Sequence, residues 1–197
     1  MTFKYYIINK PFGMLSQFSS EGDKPILANL GGFPKDVYPV GRLDADSEGL
    51  LILTNDKELN HRLLNPKFKH LRTYLSQVEG SATIEALAKL SQGVTITIDG
   101  KPYQTLPAMS KLLESAPAVP ERIPPVRFRK NIPTSWIELT LHEGKNRQVR
   151  KMTAAVGFPT LRLIRIAIEG IMLENMQPGE VMELGKDEIY KLLFNKL

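Results

Sequence analysis

The chain has 197 residues, of which 42% are hydrophobic and 24% charged, enough apolar material for a substantial core and too ordinary a mixture for a disordered or fibrous protein. It contains no cysteine, which excludes disulfides, thiolate metal sites and thiol catalysis together and fits a reducing compartment. The net charge of +5 is uneven: between Arg122 and Arg165 ten Lys or Arg residues face only Glu138 and Glu143, a footprint suited to nucleic acid, with a solvated basic face as the plain alternative.

Residues 3 to 8, rich in Phe, Tyr and Ile, predict a first strand that ends at the turn Lys10-Pro11-Phe12-Gly13. The start of the chain lacks a signal-peptide pattern and no apolar run approaches a membrane span, so a cytoplasmic protein with no membrane contact is expected. A short helical piece near Ile26 to Leu30 and a strand from Val37 to Val40 lead to Gly41. From there Gly41-Arg42-Leu43-Asp44-Ala45-Asp46-Ser47-Glu48-Gly49 runs into the apolar strand Leu50 to Leu53, closed by Thr54 and Asn55. A loop braced by a buried strand and carrying Arg42, Asp44, Asp46, Ser47 and Glu48 is a candidate active site, although Asp, Ser and Gly also form ordinary turns. Asp44 and Asp46 point the same way in an extended backbone, which admits a two-carboxylate hydrolase as a rival reading.

Asp56 is an N-cap for a helix whose stripe Leu59, Leu63 and Leu64 stops at Asn65-Pro66, with His61 structural or exposed. Leu71 to Glu79 alternates as a strand with Arg72, Tyr74, Ser76 and Val78 on one face. A helix from Thr83 to Leu90 ends at Gly93, Asp99-Gly100 turns a hairpin over Val94 to Thr105, and Leu106 to Leu113 extends the sheet. Five prolines between Ser115 and Pro133 forbid regular structure there; Arg122, Arg127, Arg129 and Lys130 with Phe128 suit either a linker or an arm laid along phosphates, the ring free to stack. After a strand from Ile137 to Leu141, Gly144 is expected to open a helix with Val149, Met152 and Val156 as its buried stripe, Arg147 and Lys151 outward, and Asn146 with Arg150 on one flank. The helix start, with Lys145 and Arg147, then reads as a phosphate site. Pro178-Gly179 is a turn and Asp187 to Leu197 a closing helix.

Gly41-Arg42-Leu43-Asp44 followed by Asp46-Ser47-Glu48-Gly49-Leu50-Leu51 closely resembles the signature of ribosomal pseudouridine synthases, and Glu143-Gly144-x-x-x-Gln148-Val149-Arg150 resembles that family's basic element. The Lys10-Pro11-x-Gly13 turn and the Arg72-x-Tyr74 pair match further family elements, and the run from Ile132 to Arg165 looks most like large-subunit members. The resemblance implies an α+β pseudouridine synthase fold: a largely antiparallel mixed sheet with flanking helices and a central active-site cleft, in one catalytic domain over 1–197 with two lobes and no separate N-terminal RNA-binding domain. It makes Asp44 the catalytic residue, Tyr74 the residue against the target base, Arg150 the partner of Asp44 and Arg42 the filler of the space the base leaves. The RNA-binding set is then Arg42, Arg127, Arg129, Lys130, Lys145, Asn146, Arg147, Arg162 and Arg165. No cofactor and no metal is expected, the partner is large-subunit ribosomal RNA, and the enzyme is expected to act as a monomer. A catalytically silent RNA-binding or ribosome assembly factor on the same fold is the alternative.

Overall fold

A computed structural model describes residues 2–20, 22–127 and 129–194. These residues form a mixed α+β architecture of four α-helices and a mostly antiparallel sheet, and the chain divides into two compact units, Met1–His70 with Arg165–Leu197, and Leu71–Ile164.

The first unit is organised on β3 (Glu48–Thr54), in which all seven positions are buried. That is why the sequence shows a continuous apolar run rather than alternation, since a strand covered on both faces has no solvent side. Leu50, Leu51, Ile52 and Leu53 are each fully buried, and each contributes roughly 1.5–3 kcal/mol of transfer free energy. β1 (Tyr5–Lys10) lies antiparallel to β3 in the register Ile7 with Ile52 and Lys10 with Gly49, and its other edge takes β11 (Val181–Glu183). β1 begins two residues later than the aromatic run suggests and continues to Lys10, which is fully buried. One face of β3 packs Leu51 and Leu53 against Ile8, Met14, Leu27 and Val37. The predicted strand before Gly41 shrinks to β2 (Tyr38–Pro39): the Val37 N–H is taken by the Pro34 carbonyl in a turn, while beyond Pro39 a single bond from the Val40 N–H to the Ile52 carbonyl follows.

α1 (Lys57–Leu64) begins where expected: one Asp56 carboxylate oxygen accepts the N–H groups of Glu58 and Leu59 at 2.9 and 3.2 Å. Leu59 and Leu63 are buried, but Leu64 is 41% exposed and lies outside the buried stripe. α4 (Lys186–Phe194) closes this unit, and Tyr190 on it and Tyr5 on β1 both donate their hydroxyls to the second Asp56 oxygen, at 2.7 and 2.8 Å. The last residues of the expected closing helix, 195–197, lie outside the described residues.

The second unit is built on β4 (Arg72–Glu79), paired antiparallel over its whole length with β8 (Thr134–Leu141), which in turn pairs with β7 (Met109–Leu112). α2 (Ile84–Gln92) is capped by the Thr83 hydroxyl and stopped at Gly93. β5 (Thr95–Ile98) and β6 (Lys101–Gln104) form the predicted hairpin, with Asp99 and Gly100 both at positive φ as its two-residue turn requires. α3 covers Gln148–Ala155 and not the turn before it. β9 (Thr160–Ile168) follows; Thr160 to Ile164 belong to this unit and Arg165 to Ile168 to the first, where β10 (Ile171–Met172) pairs with it. Among the described residues no helix is long and apolar enough to cross a membrane.

Candidate active site

In the first unit, residues 41–47 form the loop between β2 and β3. Gly41 has φ +71°, a backbone angle that selects glycine. At the far end Gly49 has φ +103° and approaches β9 so closely that a Cβ would lie 2.3 Å from the Arg165 carbonyl oxygen. Between these points Leu43, Ser47 and Glu48 are buried, Asp44 and Asp46 are half-buried, and Arg42 is exposed. The Asp44 carbonyl accepts the Ser47 N–H at 3.0 Å, and the Ala45 carbonyl accepts the Gly13 N–H at 2.7 Å. The Lys10 to Gly13 turn is thus laid against the acid loop.

Lys10 and Arg165 are two cations that residue patterns alone did not assign to this place. The Lys10 ammonium donates to the carbonyls of Pro11 and Met14 at 2.9 and 2.8 Å. Burial lowers its pKa to about 8, against the opposing attraction of Glu48, Asp46 and Asp44 and with help from Arg165. Arg165, expected on an RNA-facing surface, is only 4% exposed and its Nε donates to the Leu50 carbonyl at 2.7 Å. It braces β3, and its burial removes it from any open RNA surface.

In the second unit Tyr74 is 9% exposed on β4 and opposite Leu139 of β8. Ser76, two residues on and on the same face, shares a hydrogen bond at 2.8 Å with the Thr160 hydroxyl, which shares another at 2.7 Å with Thr153 of α3. Arg150, half-buried on α3 as its helical position predicts, donates from Nη1 to the Thr160 carbonyl at 3.3 Å. One threonine thus ties the Tyr74 face of β4 to the helix that carries Arg150.

The basic element before α3 corrects the expected helix start. Glu143 is buried and accepts from the Leu106 N–H, the Tyr103 hydroxyl and the Gln148 amide. Gln148 in turn accepts the Lys145 N–H at 2.9 Å, and Arg147 has φ 52° at the N-cap. These bonds fold 143–148 into a turn, so the helix opens at Gln148 rather than Gly144. Lys145, Asn146 and Arg147 are all exposed on that turn, and Asn146 accepts from Lys151 at 3.4 Å. The hydrogen bond to Glu143 raises the Tyr103 pKa, and the Lys145 ammonium lies 4.9 Å over the Tyr103 ring.

The proline-rich segment is irregular, as its composition dictates. Arg127 and Lys130 are exposed, while Arg129 pairs with Glu79 at 2.8 Å. This part of the segment lies over Gln77, Glu79 and Thr134 around a cavity of about 180 Å³, on the face of β4 opposite Tyr74. Phe128, the ring considered for stacking, lies outside the described residues. Arg162, also expected to face RNA, is 6% exposed and donates to the Pro120 carbonyl at 2.8 Å, pinning the segment to β9.

The family described as RNA pseudouridylate synthase matches residues 4–155. The chain is 51% identical over 174 residues to the ribosomal large subunit pseudouridine synthase E of Xanthomonas axonopodis pv. citri (strain 306), covering 87% of this chain and 89% of that protein. It is 49% identical to the protein of the same description from Vibrio parahaemolyticus serotype O3:K6 (strain RIMD 2210633), covering 92% and 74%. A crystal structure described as a pseudouridylate synthase matches with a TM-score of 0.76 at 30% identity, over 98% of this chain and 74% of that one. This chain therefore belongs to the RNA pseudouridylate synthase family, and it is an isomerase that acts on RNA uridine.

Proposed function

We propose that the protein converts a uridine of large-subunit ribosomal RNA to pseudouridine, acting as a cytoplasmic monomer, with Asp44 as the catalytic acid group, Tyr74 against the uracil and Arg150 as a further catalytic residue. The single observation that supports this most is an intact Gly41-Arg42-Leu43-Asp44 loop with a fixed backbone, in a chain 51% identical to a large-subunit synthase. The reaction breaks the bond from C1′ to N1, turns the uracil and joins C5 to C1′; the proton on C5 leaves and N1 gains one, with no change of oxidation state. Asp44 takes part as a carboxylate, whether it attacks carbon or removes a proton. The target nucleotide has to leave the base stack first, and Arg42, exposed beside Asp44, is available to occupy the space. Arg127, Lys130, Lys145, Asn146 and Arg147, all exposed, are the groups offered to phosphates.

The test is to incubate the protein with unmodified large-subunit RNA and map pseudouridine chemically. One new pseudouridine made by the native chain and none by Asp44→Asn supports the reading; RNA bound without modification by the native chain would make it a silent assembly factor.

A further inference from the structure

Asp44 is preceded by a residue whose backbone has no strand partner. β2 ends at Pro39 and β3 begins at Glu48, so the N–H and C=O of buried Leu43 need another source of hydrogen bonds. Ser16 supplies both. Its hydroxyl donates to the Leu43 carbonyl at 2.8 Å and accepts the Leu43 N–H at 3.1 Å, using a hydroxyl's one proton and one of its lone pairs. Ser16 is itself 6% exposed and stiffly held: on one side the Leu15 N–H donates to the Pro25 carbonyl at 2.9 Å, on the other the Leu27 N–H donates to the Gln17 carbonyl at 2.9 Å, and Met14 is in the core.

Residues 43, 44 and 45 therefore each have a fixed hydrogen-bond partner: Ser16 for Leu43, the Ser47 N–H for the Asp44 carbonyl and the Gly13 N–H for the Ala45 carbonyl. Of these three only the Ser16 contact is made by a side chain. We propose that Ser16 is a positioning residue for the isomerisation, its hydroxyl fixing the backbone at Leu43 and hence the direction in which Asp44 leaves the loop. The inference rests on Asp44 being the catalytic residue. Loss of the hydroxyl leaves a buried donor and acceptor unpaired, and the loop relieves this by shifting toward water. A displacement of about 1 Å at a reacting group costs on the order of a hundredfold in rate.

The experiment compares the native chain, Ser16→Ala, Ser16→Thr and Asp44→Asn in single-turnover isomerisation at saturating RNA, with RNA affinity and thermal unfolding measured on the same preparations. Ser16→Ala is expected to react about ten- to hundredfold more slowly with RNA affinity within about twofold of native, and Ser16→Thr, which keeps the hydroxyl, to recover most of the rate. A native rate in folded Ser16→Ala overturns the proposal. So does a deficit that vanishes at temperatures where the variant is fully folded, or one that lies in RNA affinity alone. If the alanine variant does not fold, Ser16→Cys replaces it, since a thiol keeps the shape but hydrogen-bonds weakly; a native rate there overturns the proposal equally. Activity retained by Asp44→Asn defeats the underlying reading instead, so the two failures are distinguishable.

Discussion

The acid loop of the first unit and the basic segments of the second are both polar, both outside regular structure, and built on opposite rules. Around Asp44 the loop buries Leu43, Ser47 and Glu48, Gly49 stands where no side chain fits, and backbone groups on each side have partners at 2.7 to 3.1 Å. Arg127, Lys130, Lys145 and Arg147 are instead exposed, on segments tied down by other residues, Arg129 to Glu79 in one and Glu143 to Gln148 in the other. Under the proposed function this difference has a reason: bond rearrangement at Asp44 demands one geometry, which an over-determined backbone supplies. Attraction of a polyanion needs only charge within reach, and its strength adds up contact by contact.

The sharpest way to break this contrast is at its centre. Asp44→Asn is expected to lower isomerisation by ~10⁴-fold or more while leaving folding and RNA binding near native; Asp46→Asn should keep most of its activity. Equal losses, measured by pseudouridine formation, would return the paired-carboxylate mechanism. Next in size is Arg150→Ala, for which turnover on saturating RNA should fall on the order of 10²-fold with the thermal midpoint nearly unchanged.

A third experiment contrasts Asp44 with Asp56, the same residue type in a structural role. Burial raises the Asp56 pKa, but the hydroxyls of Tyr190 and Tyr5 and the amides of Leu59 and Glu58 together outweigh it, leaving the value below that of an ordinary carboxylate. Asp56→Ala removes the α1 cap and leaves two tyrosine hydroxyls without their acceptor, a loss of roughly 3 kcal/mol, read as the difference in denaturant unfolding. Because the folded-state pKa is depressed, the part of this contribution that depends on the charge is present above the unfolded value of about 3.9 and disappears as the pH falls through the folded one. The gap between native and variant stability should therefore be full at neutral pH and narrow in acid. A gap independent of pH would mean that the carboxylate's charge contributes nothing.

Much of the fold was legible because local chemistry decides it. The apolar run at Leu50 to Leu53, the cap at Asp56, the stop at Asn65-Pro66 and the Asp99-Gly100 turn each depend on a few neighbouring residues. β9 was not legible, since Arg162 and Arg165 interrupt its apolar pattern, and both are buried with distant carbonyls, those of Pro120 and Leu50, receiving them. The start of α3 was misplaced for a similar reason: the pairing of Glu143 with Gln148 ties a turn that periodicity does not register. At the site, the residue types pointed to the acid loop and the family resemblance to Asp44 and to the Lys10 turn, whereas Ser16 gave no signal, because its hydrogen bonds to Leu43 join residues 27 positions apart.

The smallest effect belongs to the basic side. Single-strand contacts contribute a slope of about −0.7 each in log affinity against log salt. With Arg129 already paired to Glu79, the triple change Arg127→Ala, Arg129→Ala, Lys130→Ala should flatten the slope by about 1.5, with little change in turnover at saturating RNA. An unchanged slope in a salt series would make this segment a solvated loop and leave phosphate contact to Lys145 and Arg147.

The first unit is written in two instalments, Met1–His70 and Arg165–Leu197, with all of the second between them. A nascent chain leaving the ribosome can thus finish the second unit while the first is still incomplete. β1 meets β3 early, but its other edge waits for β11, and Asp56 waits for Tyr190. Until then the amino-terminal segment presents a bare strand edge, a template for pairing with other chains. A premature stop ahead of Val181 makes that interval permanent, so such truncated chains are expected to aggregate even though Asp44, Tyr74 and Arg150 have all been made.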